Sequence, residues 1–223
     1  MTKAFPDCEK PQSEKRRIGV LGGSFDPVHL GHKALAEAAL CEAKLDMLII
    51  MPAKVQPFKQ ELNVTCQSHR EAMVRIAFSC TEAGQTEQAS KIRISRYELN
   101  SEEALSYTIR TLKHINKEYC GAEIFFICGT DSYLSVEEWY KGPEILKNYS
   151  LIVSARPGCK EEELKRKAAF YKGKYGTSTV ILRSEMPDIS STEIRRRIAS
   201  EESVSELLPI QVERYIKENG LYK

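Results

Sequence analysis

Ile18-Gly19-Val20-Leu21-Gly22-Gly23-Ser24-Phe25-Asp26-Pro27-Val28-His29-Leu30-Gly31-His32 is a short apolar run that breaks on two glycines and leads into a helical pattern, Lys33 to Leu40, with one apolar face. That order predicts a buried parallel strand over 18–22, a turn, and a helix over about 30–44. A strand-to-helix junction points unpaired backbone N–H groups and the positive end of a helix dipole at its ligand, which favours an anion such as a triphosphate. Gly22 and Gly23 let the backbone come close to it. His29 and His32, three apart, can donate hydrogen bonds to oxygens whose charge grows during displacement at phosphorus. They would stabilise charge rather than attack. For these two residues alone, a polar pair at a helix start or part of a metal site stays open as the plainer alternative. No other His or Cys cluster completes a zinc site, so no metal ligands are assigned. His69 and His114 sit in ordinary helical patterns and are expected in solvated or capping roles.

The chain has 223 residues, enough for one substantial core, and fits a single α/β domain better than two small ones. With 33 Lys and Arg against 31 Asp and Glu, it lacks the strong positive excess of a nucleic-acid-binding domain, so nucleic acid is not expected as the main partner. No apolar run is long enough to span a bilayer, and the first residues are polar rather than signal-like. A cytoplasmic protein is expected, with no membrane partner and residues 1–16 forming a leader without fixed structure. The seven cysteines, at positions 8, 41, 66, 80, 120, 128 and 159, are odd in number and include no C-x-x-C pair. They read as reduced thiols, with Cys41, Cys80 and Cys128 inside apolar patterns. Oligomeric state is left open, a homo-oligomer being one option.

Beyond the first junction, strands are expected over 46–51, about 91–97, 122–128, 149–155 and 178–183. Helices are expected over about 66–82, about 105–117, within 131–148, and near 191–200 and 209–219. The stretch 156–176, rich in Lys, Glu and Gly, reads as a mixed, mobile excursion with no functional signal. The alternation predicts a Rossmann-like, doubly wound, mostly parallel sheet with helices on both faces, in one domain over 17–223. Ligands then belong at the carboxyl ends of strands. Three strand ends carry turn or polar chemistry: the histidine turn, Pro52, and Gly129-Thr130-Asp131-Ser132.

Late in the chain, Ile189-Ser190-Ser191-Thr192-Glu193-Ile194-Arg195 contains the S-x-x-E spacing of a capping box, with Ser190 as cap and Glu193 reciprocating. A helix start and a solvated arginine face would account for most of it. The hydroxyl run adds an anion site, which Arg195 can reach with planar donors suited to phosphate oxygens; Arg196 and Arg197 are expected to face solvent. The two ends together supply anion-binding helix starts, two histidines and an arginine, with no obvious nucleophile or strong base. Transfer at phosphorus needs positioning and charge stabilisation more than covalent help, and a phosphate acceptor is already anionic at neutral pH. The expected reaction is attack by a substrate phosphate on the α-phosphate of a nucleoside triphosphate. Magnesium would be held mainly by the phosphates.

These residues resemble the nucleotidyltransferase superfamily, marked by G-x-F-D-P-x-H-x-G-H and a late I-S-S-T-x-I-R. From about Ile18 onward the chain also looks like the bacterial nicotinate-nucleotide adenylyltransferases, through Leu105-Ser106-Tyr107-Thr108-Ile109, Thr111-Leu112, Phe126-Ile127, Gly129 to Ser132, Trp139, Arg156-Pro157-Gly158, Leu208-Pro209, Val212, Tyr215-Ile216 and Leu221-Tyr222. The resemblance implies that His29, His32 and Arg195 act on the ATP phosphates, that Gly22, Gly23, Ser24 and Phe25 line the turn, and that Ser190, Ser191 and Thr192 lie beside ATP. It implies that Tyr107 and Thr108 meet a nicotinate carboxylate, partly by backbone N–H, that Trp139 stacks on the pyridine ring, and that Asp131 lies near the nucleotides. An aromatic face suits a cationic pyridinium, although a lone Trp is often simply packed. Gln56-Pro57-Phe58-Lys59 departs from the family's Pro-Pro-His-Lys, leaving Lys59 to approach a phosphate, and Arg110 replaces an acidic residue.

The implied activity is transfer of AMP from ATP to nicotinate mononucleotide, giving deamido-NAD and pyrophosphate in NAD biosynthesis. The alternatives are nicotinamide mononucleotide or another phosphate acceptor, as in phosphopantetheine adenylyltransferase, and a non-catalytic nucleotide sensor. A tRNA-ligase fragment would need an anticodon-binding region this length does not accommodate.

Overall fold

The computed structural model describes residues 15–55, 64–79, 87–155 and 161–223. The leader expected over 1–16, apart from Lys15 and Arg16, therefore lies outside the described residues, as do Lys59, the 156–158 segment and Cys8, Cys80 and Cys159. The elements in chain order are β1 (Arg17–Gly23), α1 (Leu30–Glu42), β2 (Met47–Pro52), α2 (Gln67–Ser79), α3 (Glu87–Ser90), β3 (Ile92–Ile94), α4 (Thr108–Glu118), β4 (Glu123–Gly129), α5 (Thr130–Ser135), a 3-10 turn (Val136–Glu138), α6 (Gly142–Asn148), β5 (Ser150–Ser154), α7 (Glu161–Tyr175), β6 (Thr179–Leu182), α8 (Ser191–Ala199) and α9 (Ile210–Glu218).

All the strand pairings are parallel, in the order β3-β2-β1-β4-β5-β6. The chain turns outward in both directions from β1 and β4, so the crevice beyond their carboxyl ends is the topological switch point where such sheets bind ligands. The near-continuous apolar runs in β1, β2, β4 and β5 follow from burial of both faces. Ile18, Val20, Ile49, Met51, Ile124, Phe126 and Val153 alternate into the core beneath α4, α5, α6 and α7. Leu21, Leu48, Ile50, Phe125, Ile127 and Ile152 point the other way, into the core shared with α1, α2, α8 and α9. Gly19 is required on that second face: a Cβ there would stand 2.5 Å from Leu45 Cδ1 and 2.9 Å from Ile127 Cδ1.

Several expectations change. β3 spans only Ile92–Ile94, and α4 starts at Thr108 rather than near 105. The residues just before α4 are tied instead to the segment after β2, with the Ser106 amide donating to the Val55 carbonyl at 2.8 Å. The excursion over 156–176 contains the 15-residue helix α7, whose Leu164 and Tyr171 are buried. Its inward face is thin because those anchors lie seven residues apart. Its charges follow the helix dipole, Glu161, Glu162 and Glu163 in the first turn and Lys172 and Lys174 in the last. Cys128 is buried as expected, whereas Cys41 is exposed on α1. Among the described residues no helix is long and apolar enough to cross a membrane.

Candidate active site

β1 ends in the turn that starts α1. Phe25 takes a left-handed backbone (φ 49°), and its buried ring lies against Gly23, where a Cβ would meet it at 3.2 Å. A Cβ at Gly22 would meet nothing within 4 Å, which leaves that side of the backbone open to a ligand.

His29 is the N-cap of α1, with extended backbone (φ −142°, ψ 173°). Its amide donates to His32 Nδ1 at 3.2 Å, so the neutral His32 ring carries its proton on Nε2. The two imidazoles lie 3.7 Å apart between centroids, and Phe25 packs edge-on against His32 at 4.9 Å. Gly31 makes room for the pair: a Cβ there would stand 3.0 Å from His29 Nδ1. His29 is 6% exposed, its buried Nδ1 has no hydrogen-bond partner among the described residues, and burial lowers its pKa from 6.5 to about 4. The ring is thus neutral at physiological pH, and a phosphate anion would stabilise its protonated form.

α8 closes on the same turn from the far end of the chain. Arg195 Nη1 donates to the Asp26 carbonyl at 2.6 Å, and the Ser191 hydroxyl donates to the Pro27 carbonyl at 3.0 Å. Leu30 N–H donates to the Leu207 carbonyl at 3.0 Å. Ser190 caps α8 by accepting from the Glu193 amide at 3.2 Å, but the Glu193 side chain does not reciprocate. Its carboxylate bonds Arg196 and Arg197, which hold its pKa down to about 2. Two guanidinium groups outcompete one amide donor. Thr192 Oγ1 accepts from Arg195 Nη2 at 3.4 Å. The three hydroxyls therefore hold the helix start and its arginine in place, with lone pairs to spare.

Asp26, 4% exposed, sits at the centre of this closure. Its Oδ1 accepts from the Tyr222 hydroxyl at 2.6 Å and its Oδ2 from the Thr65 amide at 3.1 Å. Burial and the Asp26 carboxylate both raise the Tyr222 pKa, so the phenol stays protonated. His69 is not a solvated or capping group: it bonds the Tyr215 hydroxyl at 2.9 Å and ties α2 to α9. His114 stacks on Tyr97 at 3.8 Å.

The second half of the crevice follows β2 and β4. Tyr107 is the N-cap of α4 and Thr108 its first residue. The Tyr107 ring lies 4.7 Å from that of Tyr140, and the Arg110 guanidinium stands over it at 5.3 Å while pairing with Glu103. That pairing accommodates the arginine at 110. Trp139 is half-buried against Phe126, and its indole N–H donates to Ser135 Oγ at 3.2 Å. Thr130, the first residue of α5, donates to the Ser154 carbonyl at 2.9 Å, and Asp131 is exposed in the first turn of that helix. Sequence reasoning assigned no role to Tyr222, Tyr140, Arg70 or the Asp26 carboxylate. The adjacency of Tyr140 to Trp139 was a usable signal for one of them.

A parallel α/β sheet with this strand order and two helix starts meeting at one turn is the architecture of the Rossmann-like nucleotidyltransferases. The cytidylyltransferase-like family matches residues 20–197. A protein of Carboxydothermus hydrogenoformans named a probable nicotinate-nucleotide adenylyltransferase is 36% identical over 209 residues, covering 93% of this chain and 98% of that one. One of the same name from Thermoanaerobacter sp. is 37% identical over 210 residues, covering 93% and 94%. The chain belongs to the cytidylyltransferase-like family and, within it, to the nicotinate-nucleotide adenylyltransferases. The Plasmodium falciparum nicotinic acid mononucleotide adenylyltransferase complexed with NaAD shares the fold, with a TM-score of 0.74 at 18% identity over 93% of this chain and 97% of that chain. The same enzyme complexed with APC gives 0.71.

Proposed function

We propose that this protein joins nicotinate mononucleotide to the adenylyl group of ATP, forming deamido-NAD and releasing pyrophosphate, in the cytoplasm and as a step of NAD biosynthesis. The observation that carries the reading is the closure of α8 on the first turn, Arg195 lying 2.6 Å from the Asp26 carbonyl. It brings the guanidinium to the turn that carries the imidazoles and the open backbone at Gly22, groups that together would hold one anion. ATP phosphates would occupy that site, beside Ser24, Phe25, Ser190, Ser191 and Thr192. His32 Nε2–H and Arg195 would donate to oxygens that gain charge as pyrophosphate leaves. The acceptor phosphate attacks as an anion and requires no base.

Nicotinate mononucleotide would lie toward Tyr107, Thr108, Asp131 and Trp139. The first amides of α4 would take its carboxylate, and the indole would take its cationic ring. Magnesium fits as an ion carried in by ATP. The turn carboxylate, Asp26, is already engaged through both oxygens, and the imidazoles, hydroxyls and guanidinium that remain suit phosphate oxygens better than a hard cation. The ion would offset negative charge on the phosphates, which supply its ligands together with water.

The test is pyrophosphate release from Mg-ATP with nicotinate or nicotinamide mononucleotide in parallel. A kcat/KM favouring the acid by tenfold or more, about 1.4 kcal/mol, supports the carboxylate contact. Equal use of both would remove that contact, and no release with either would make the protein a nucleotide binder without turnover.

A further inference from the structure

Arg70 on α2 is 2% exposed, and among the described residues its hydrogen bonds go to backbone carbonyls. Nη1 donates to Ser24 at 2.6 Å and to Ala53 at 2.8 Å, Nη2 to Lys54 at 3.1 Å, and Nε to Thr65 at 2.9 Å. Burial lowers its pKa, while the neighbouring Asp26 charge acts against that shift. A buried cation is costly, and a core needing only to be filled would use an apolar residue. What this cation does is join separate stretches of chain. Ser24 belongs to the phosphate turn, Ala53 and Lys54 end β2, and Thr65 leads into α2.

The connection continues to the other half of the crevice. The Lys54 amide donates to Ser106 Oγ at 3.0 Å, the Ser106 amide donates to the Val55 carbonyl at 2.8 Å, and Lys54 Nζ donates to the Ser101 carbonyl at 2.6 Å. Ser106 also hydrogen-bonds the buried carboxyl of Glu98, which accepts from Thr111 on α4. Tyr107 and Thr108 come next in the chain. One guanidinium and one peptide unit thus span the distance between the phosphate turn and the start of α4.

We propose that Arg70 is a positioning residue that sets the separation of the two substrates, holding the phosphate turn in register with residues 106–108. The proposal rests on the substrate placement given above. Transfer at phosphorus requires the acceptor oxygen in line with the leaving pyrophosphate. An error in relative placement therefore lowers the rate of the bound complex more than the affinity for either substrate.

Steady-state kinetics of Arg70→Lys test this, since lysine keeps the charge but cannot reproduce a planar fork spread over these carbonyls. A fall in kcat of about 10- to 100-fold, with KM for both substrates within about threefold, is expected. An unchanged kcat, or a rise in one KM alone, overturns the proposal. Ser106→Ala cuts the same path at its far end without disturbing the buried cation, and decides the matter should Arg70→Lys not fold. Its kcat is expected to fall by about three- to tenfold with the same KM pattern. Where both variants fold, the double variant should lose less than the product of the two effects. Multiplicative losses, or a silent Ser106→Ala, refute the path. A wild type that releases no pyrophosphate with nicotinate mononucleotide refutes the reaction itself, whereas an active wild type with kinetically silent variants refutes only the role of Arg70.

Discussion

Burial of His29 at the turn between β1 and α1 leaves a pH signature. Its pKa falls from 6.5 to about 4 on folding, so between those values the unfolded chain binds more protons and stability declines as pH drops. The loss is at most about 3 kcal/mol and is complete below the lower value. Urea unfolding of wild type and His29→Asn from pH 7 to pH 4 should show a shallower decline in the variant; parallel declines would assign the protons elsewhere. His32 differs, because its Nδ1 is occupied by the His29 amide and its other nitrogen is the donor. His32→Ala should lower kcat about 10²- to 10³-fold while ATP affinity, measured calorimetrically, changes less than tenfold. A variant that turns over normally would exclude His32 from the chemistry.

At the scale of elements, the starts of α1 and α8 are held together because the C-terminal segments are bonded to the first turn directly. Tyr222→Phe keeps the ring and removes one donor from the buried Asp26 carboxylate, a loss of about 1–3 kcal/mol. A lower urea midpoint together with a raised KM for ATP is the expected result. Lost stability with unchanged ATP kinetics would make the contact purely structural. The beginnings of α1 and α8 were legible in the sequence because their signals are local: glycines, a histidine pair and a serine cap within a few residues. Only half of the Ser190 box formed, since Arg196 and Arg197 compete for Glu193 and spacing alone cannot rank partners. α7 was missed because its apolar stripe is too narrow to stand out from the charge around it. Cys41 was read with its apolar neighbours on α1, yet it lies four and eight positions beyond Glu37 and Lys33, on the polar stripe of that helix.

For the whole molecule, a mostly parallel, doubly wound sheet buried on both faces could be read from alternating apolar runs. The strand order, the switch point between β1 and β4, and the closures over the histidine turn could not. Arg70 reaches carbonyls 5 to 46 residues away, and backbone acceptors leave no mark in a sequence. If ATP bridges both helix starts, it should stabilise the fold as a whole. Mg-ATP at a hundredfold excess over Kd adds about 2.7 kcal/mol, or roughly 5–10 °C in Tm for a domain of this size. Arg195→Ala should lose most of that shift in a thermal melt, and an intact shift would place the triphosphate elsewhere. The contact from Asp26 to Tyr222 spans 196 residues. At roughly 5–20 residues per second, a ribosome making this chain needs about 10–40 s to travel from one to the other. For most of that interval the histidine turn exists without Arg195, and for all of it without Tyr222, so a nascent chain would become competent for adenylyl transfer only after nearly all of the sequence shown has been synthesised.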